Sequence, residues 1–299
     1  MRQKTLGGTF SLRGKGLHTG LELTVTMGPA PANHGYLICR TDLNNRPVLQ
    51  CIAENVHETT RGTVVSSGEV KCSTIEHGMA ALMAAGITNV WIEVNGPEFP
   101  ILDGSAMFYA KEIEKAGVVE QDDDIEPLII KETVEVKDKE TGSWIRIDPA
   151  ERFEVSATIK FPGQVLGESS ATLNDMSDFG EDLAAARTFV FVREIAPLLE
   201  MGLIKGGDLD NAIVIYEVEM PQDKLDALCE KVGTDKHDAT QLGYIQHRTL
   251  QWDNECARHK VLDIIGDMAL VGRPIVGRIT AYKPGHTINN AFARKLREI

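Results

Sequence analysis

The segment Arg258-His259-Lys260-Val261-Leu262-Asp263-Ile264-Ile265-Gly266-Asp267 places one imidazole and two carboxylates at successive four-residue intervals. On a helix this spacing stacks all three on one face, with His259 and Asp263 about 6 Å apart along the axis. Both side chains then reach a single ion. Val261, Leu262, Ile264, Ile265 and Met268 cover much of the remaining helix surface, and a polar stripe on such a helix is costly to bury without partners. A metal supplies one. A solvated His–Asp pair, worth a few tenths of a kcal/mol, accounts for the same spacing.

A catalytic zinc site takes three protein ligands and keeps one position open, so a third ligand is needed. Glu76-His77 offers an imidazole beside a carboxylate that could face the reacting water. The plainer reading is that Glu76 complements a helix dipole and His77 is an ordinary half-buried residue. Tyr282-Lys283-Pro284-Gly285-His286 reads as a turn that exposes a further imidazole, or as a plain surface turn. No H-E-x-x-H occurs, so a zincin protease has no support.

Elements that could hold these groups are legible in outline. Short strands fit Thr5–Leu12, Glu22–Met27 and Tyr36–Arg40. A helix is expected from Thr74 to Ala85, with Ser73 or Thr74 as N-cap and Gly86 as its end. Val90–Val94 reads as a buried strand and Ser105–Ala116 as a helix closed by Gly117. The acidic stretch Gln121–Pro127 reads as a linker. Beyond it, strands fit Leu128–Val136, Ser143–Ile147 and Phe153–Phe161, and a short helix fits Asp175–Ala185. Strand, helix and strand follow over Thr188–Val192, Arg193–Met201 and Ala212–Tyr216. A long helix over Asp253–Val271 and a strand over Ile275–Ala281 close the chain. Two halves that each run strands first and helices later predict two packed α+β domains, at 1–121 and 128–299.

The 299 residues carry a formal charge of −13 with no dense Lys/Arg run, which argues against nucleic acid as partner. The five cysteines are scattered, with no C-x-x-C, so neither a disulfide framework nor a cysteine zinc site is expected. No signal-peptide h-region and no stretch of 18 apolar residues is present. A soluble, cytoplasmic protein is the expectation.

Taken together, the motifs resemble those of the UDP-3-O-acyl-N-acetylglucosamine deacetylases of lipid A biosynthesis. The matching segments are Gly14–Gly20, Thr60-Arg61-Gly62-Thr63, Ser73–His77, Asn95–Ser105, Ala186-Arg187-Thr188-Phe189, Gly206–Ala212, Arg258–Asp267 and Gly285–Asn290. They follow the family's order over nearly the whole chain. The resemblance implies one zinc ion on His77, His259 and Asp263, Glu76 as general base and His286 as its cationic partner. Iron suits such a donor set as well. It also implies two domains of similar β-rich, two-helix topology packed face to face around the site, with a β-α-β insertion at about 188–216 in the second.

The implied reaction is hydrolysis of the N-acetyl group of an acylated UDP-sugar. Zinc activates water near neutrality, Glu76 takes a proton, and His286 and the Thr188 hydroxyl stabilise the oxyanion. Asp267 is expected to pair with His286 and keep it charged; ligation of the metal by Asp267 is the alternative. Lys260, His18 and Phe189 match positions implied in substrate binding, although glycines serve a tight turn at Gly14–Gly20 in any case. Phe189, Val190, Phe191, Ile195, Leu198, Leu199, Ile213 and Val214 suit an acyl channel, where a dozen methylenes gain roughly 10 kcal/mol gross. A plain α/β core fits the same composition.

One segment departs from the family. Phe161-Pro162-Gly163-Gln164-Val165 lacks the His-Pro pair often found there, so no substrate contact is carried onto it. The sequence is similar to a branch fused to a C-terminal hydroxyacyl-carrier-protein dehydratase, which leaves a single-function chain or an N-terminal part as the two expectations. A metal amidohydrolase acting on a soluble N-acetyl compound, and a non-catalytic binding module, are the competing readings.

Overall fold

Strands here follow from alternation. In Glu22–Pro29, Leu23, Val25 and Met27 point inward while Thr24 and Thr26 lie on the other face. The computed structural model describes residues 1–200 and 205–299, side chains at 196 and 198–200 excepted. The side chains of Leu198 and Leu199, read above as channel candidates, and Met201, read as the end of a helix, lie outside what is described.

The first half holds a five-stranded sheet in the spatial order Phe10–Lys15, Glu22–Pro29, Val90–Val94, Tyr36–Arg40, Val48–Gln50. The central strand comes last in the chain. It pairs antiparallel with Glu22–Pro29 and parallel with Tyr36–Arg40. The second half repeats this order with Val134–Lys137, Trp144–Asp148, Ile275–Tyr282, Phe153–Lys160 and Glu168–Leu173. Again the central strand is last, antiparallel to one neighbour and parallel to the other. Leu128–Ile129 adds to it in parallel.

The helices are α1 (Glu76–Ala84), α2 (Met107–Ala116), α3 (Phe179–Asp182), α4 (Val192–Glu200), α5 (Gln222–Val232), α6 (Glu255–Met268) and α7 (His286–Arg297). In each half one helix precedes the central strand, α1 or α6, and one follows it, α2 or α7. The mixed α/β architecture with a repeated strand order agrees with the fold expected from the sequence. Helices α1 and α6 pack directly on each other. Their crossing depends on Gly266, where a Cβ would lie 2.2 Å from the Glu76 carbonyl oxygen. That approach sets His77 opposite His259 and Asp263.

Each half also carries an insertion between its fourth strand and the helix that precedes its central strand. The first is a small sheet of Val56–Glu58, Val64–Ser67 and Val70–Cys72. The second is larger. Phe189–Phe191, α4 and Ile213–Tyr216 form the expected β-α-β unit with parallel strands. It is extended by α5 and by Gly243–Ile245, antiparallel to Ile213–Tyr216. Val192, Ile195, Leu209, Val214, Tyr216, Leu225 and Leu228 give this insertion a core of its own. One continuous core joins both main sheets and the helices between them.

Several expectations need correcting. Neither Ser73 nor Thr74 caps α1, whose N-cap is Ile75; the Thr74 hydroxyl donates to Glu98 instead. Leu128–Val136 is two strands rather than one. The acidic Asp122–Asp124 is not free linker but the end of a strand, Val118–Asp124, antiparallel to Arg2–Leu6. There Arg2 faces Asp124 and Lys4 faces Glu120, so cross-strand charge offsets the acidic run. His286 sits not in a turn but at the first position of α7. Ile288, Phe292 and Leu296 are buried along one face of that helix and hold it to the core. No described helix is long and apolar enough to cross a membrane.

Candidate metal centre and active site

His77, His259 and Asp263 offer ligand atoms that all lie within 4.8 Å of one another. Each residue is at most 4% exposed. The His77 and His259 rings meet edge to face at 5.0 Å between centroids. His259 Nδ1 is bound to the Ala186 carbonyl at 2.9 Å, which makes Nδ1 the protonated nitrogen and turns the Nε2 lone pair toward the cluster. Asp263 Oδ1 lies 3.4 Å from that Nε2 but is buried and makes no hydrogen bond. An orphaned carboxylate oxygen between two imidazoles costs free energy unless something positive meets it. The set of two imidazoles and one carboxylate therefore fits a divalent ion such as zinc. Burial lowers the pKa of His77 to about 3 and also depresses His259, so both are neutral and ready to ligate. Burial acts to raise Asp263, but the charges of Lys260 and His286 outweigh it and hold this carboxyl far below the ordinary range.

Glu76 and His286 face the cluster. Glu76 Oε2 accepts from the Thr63 backbone N–H at 3.1 Å, leaving Oε1 turned to the site. Burial and nearby Asp263, opposed by His286, raise its pKa to about 7. His286 Nε2 lies 3.9 Å from Glu76 Oε1 and 3.8 Å from Asp263 Oδ2, too far for hydrogen bonds, so the three groups border a common space. His286 Nδ1 donates to Asp267 Oδ2 at 2.9 Å. Burial pulls its pKa down, but Asp267 and Asp263 override this and lift it to about 9. Asp267 also accepts from the Thr63 hydroxyl and from Asn289 Nδ2. Its carboxylate thus faces His286 and its supports, and it is not among the clustered metal donors.

These groups form one end of a cavity of about 230 Å³. Glu76, His77, His259, Asp263 and His286 make its polar end, with Thr188, Lys260 and His18 also in the wall. Ile101, Phe189, Val190, Ile195, Leu209, Ala212, Val214 and Val232 supply most of the remaining wall, an apolar limb that also carries Glu194 and Asp208. A larger cleft of about 610 Å³, lined by Gln3, Tyr36, Asn89 and Arg273, contains none of the predicted site residues. Size alone does not locate chemistry, and the smaller cavity is the one that brings Glu76, His77, His259, Asp263 and His286 together.

The model of the family described as UDP-3-O-acyl N-acetylglycosamine deacetylase (LpxC) matches residues 3–232 and 238–298. The chain belongs to this family. It is 58% identical over 298 residues to the bifunctional enzyme LpxC/FabZ of Bacteroides thetaiotaomicron, covering all of this chain and 65% of that protein. A protein of the same name from Porphyromonas gingivalis is 53% identical over 99% of this chain and 64% of its own length. The chain thus spans just under two thirds of these two relatives. The UDP-3-O-acyl-N-acetylglucosamine deacetylase of Myxococcus xanthus is 39% identical, over 98% of this chain and 86% of that protein.

Within this deacetylase-family chain, the remaining predicted residues divide. Lys260 Nζ binds Asp263 Oδ2 at 2.8 Å and lies 5.3 Å from the centre of the Phe189 ring, so its charge is spent first on the Asp263 carboxylate. The Gly14–Gly20 turn is held from beneath by buried Glu98, which accepts from the N–H groups of His18 and Thr19 and from the hydroxyls of Thr19 and Thr74. A Cβ at Gly16 would meet that carboxylate at 2.3 Å. The same loop touches the insertion, where Gly206 N–H donates to the Leu17 carbonyl.

Thr63, Gly62 and Asn289 escaped the sequence reading of roles. Thr63 serves Glu76 through its N–H and Asp267 through its hydroxyl, and a Cβ at Gly62 (φ 153°) would lie 3.1 Å from Glu76 Oε1. Thr60–Thr63 was visible as a motif, but nothing local told what it touches. Asn289 stands three residues after His286, one helical turn on, and that spacing was a usable signal.

Proposed function

We propose that this chain hydrolyses the N-acetyl group of UDP-3-O-[(3R)-hydroxyacyl]-N-acetylglucosamine in lipid A biosynthesis, using one zinc ion held by His77, His259 and Asp263. The observation that carries the reading is the junction, in one cavity, of a buried His–His–Asp cluster with a base–cation pair and an apolar limb. The name of the Myxococcus xanthus relative, a UDP-3-O-acyl-N-acetylglucosamine deacetylase, supports the choice of substrate.

Zinc held by His77, His259 and Asp263 would supply Lewis-acid polarisation. The chain's own residues do the rest. Glu76, with a pKa near neutrality, takes a proton from the water as it adds to the acetyl carbon. His286, kept protonated by Asp267, stabilises the negative charge that develops on oxygen. Thr188 lines the same cavity, and its hydroxyl would add a donor. The carbon–nitrogen bond then breaks, and the sugar nitrogen leaves with a proton from Glu76 or His286. Acetate and the free amine are the products. Lys260 and Phe189, packed on each other, mark the step from the polar end to the apolar limb, where the acyl chain lies. His18 contributes to binding the sugar or diphosphate.

This reading divides the chain at about residues 122–127 and places it in the cytoplasm, in keeping with five buried, unpaired cysteines. For the whole protein a C-terminal dehydratase part is proposed, supported by the two longer relatives named LpxC/FabZ.

The test is a deacetylation assay on UDP-3-O-acyl-GlcNAc with chelator, and with zinc restored. Activity abolished by chelator and regained with zinc is expected. Equal kcat/KM for acylated and non-acylated UDP-GlcNAc overturns the lipid substrate. Turnover indifferent to chelator in zinc-free protein overturns the metal.

A further inference from the structure

We propose that Arg187 and Glu255 are positioning residues for the ligand His259, acting through the carbonyl of Ala186; this rests on the metal-site reading above. Both are buried, Arg187 at 2% exposure and Glu255 at 0%. Arg187 Nε donates to Glu255 Oε1 at 2.8 Å and Nη2 to Oε2 at 3.1 Å, a two-pronged pair. The Arg187 backbone N–H also donates to Oε1 at 3.1 Å. The guanidinium further reaches the Thr249 carbonyl at 3.0 Å, and Gln251 N–H donates to Oε2 at 2.7 Å.

Glu255 opens α6, one turn before His259. Ala186, next to Arg187, accepts from His259 Nδ1. The contacts therefore close a ring. Residue 255 of the helix clamps residue 187, and residue 186 returns a hydrogen bond to residue 259 of the same helix. A carbonyl accepts only from a protonated nitrogen, so its position selects the tautomer with Nε2 free for a metal. Thr188 N–H is tied in turn to the Gly104 carbonyl of the first half at 2.8 Å, so segment 186–188 is fixed at both ends.

Neither Arg187 nor Glu255 lines the cavity, so substrate contact does not explain them. Stability alone is a weak reason for such a pair, because an apolar replacement of similar size often does as well. Holding the ligand's second nitrogen is a role that an apolar pair cannot fill at the same geometry. Outer contacts of this kind are typically worth about 10–100-fold in metal affinity.

The experiment uses Glu255→Gln, Arg187→Lys and the joint Arg187→Met/Glu255→Met variant. Three readouts are taken: zinc affinity by chelator competition, visible bands of the cobalt-substituted protein, and ¹⁵N shifts of the His259 ring without metal. Folded variants with zinc affinity about 10–100-fold weaker, altered cobalt bands and a mixed His259 tautomer are expected. Wild-type affinity, bands and tautomer in the folded joint variant overturn the proposal. Should that variant not fold, the same wild-type values in Glu255→Gln and Arg187→Lys overturn it. Wild-type protein that binds no stoichiometric zinc refutes the metal reading instead, while the tautomer shifts still decide the positioning role.

Discussion

Asp267→Asn separates the charge of this residue from its shape. The amide keeps an oxygen toward His286 or Thr63 but removes the negative charge 2.9 Å from His286 Nδ1. In the wild type His286 titrates at about 9, against an ordinary 6.5. That difference is about 3 kcal/mol in favour of the charged ring. Asp267 is the largest favourable cause, and burial opposes it. Without the carboxylate, burial works against what Asp263 and Glu76 still provide, and His286 returns to about its ordinary value. The sign is definite. A folded-state pKa above the unfolded one gives stabilisation that is full below about pH 6.5 and fades as pH rises through about 9. The protonated fraction at pH 8 falls from about 0.9 to about 0.03, so kcat/KM drops about thirtyfold there. At pH 6 both proteins hold a mostly protonated His286, and the deficit shrinks to less than about twofold by the same arithmetic. The assay is kcat/KM between pH 5.5 and 9.5, with zinc content checked at each end. A deficit of equal size at pH 6 and pH 8, or an alkaline limb still near 9, refutes the claim that Asp267 acts by holding His286 charged.

Other substitutions probe the remaining parts of the site. Glu76→Gln should keep stoichiometric zinc and lose about 10²–10⁴-fold in kcat, the usual worth of a general base; near-normal turnover sinks its assignment. His259→Ala should lose zinc by elemental analysis and with it all activity, since two donors remain. Ala212→Phe should fill the apolar limb, cutting kcat/KM on long-chain substrate about tenfold or more while zinc content stays the same. Gly104→Ala should lower the melting temperature by several degrees: φ is +79° and the new Cβ would sit 1.9 Å from the Asn211 carbonyl oxygen. An unchanged melting temperature would mean that the insertion does not pack there.

What the sequence revealed, and what it hid, follows from the range over which each group acts. His259, Asp263 and Asp267 declare themselves because a helix converts four-residue spacing into one face. Their partner His77 lies 182 positions from His259 in the chain, and no spacing rule reaches that far. The usable hint was Gly266, a helix-weakening residue among apolar neighbours, which proves to be where α6 meets the Glu76 carbonyl. His286 was misplaced because Pro284-Gly285 is a strong turn signal. The stripe Ile288, Phe292, Leu296 after it carried the opposing helical signal. Ser73 and Thr74 failed as caps because tertiary acceptors, the Pro97 carbonyl and Glu98, had already taken their hydroxyls. Thr63 was hidden for a different reason. It works through one N–H and one hydroxyl, groups that ordinary surface residues also carry. Only the closure of the first half's insertion onto α1 and α6 gives them meaning. Yet that closure is what holds Glu76 and Asp267 in register, so the least legible residue links the base to the support of its cationic partner. Thr63→Val tests this. It keeps the N–H on Glu76 but deletes the donor to Asp267, so the His286 alkaline limb should shift while the Glu76 limb stays, and equal shifts of both would show the loop itself to have moved.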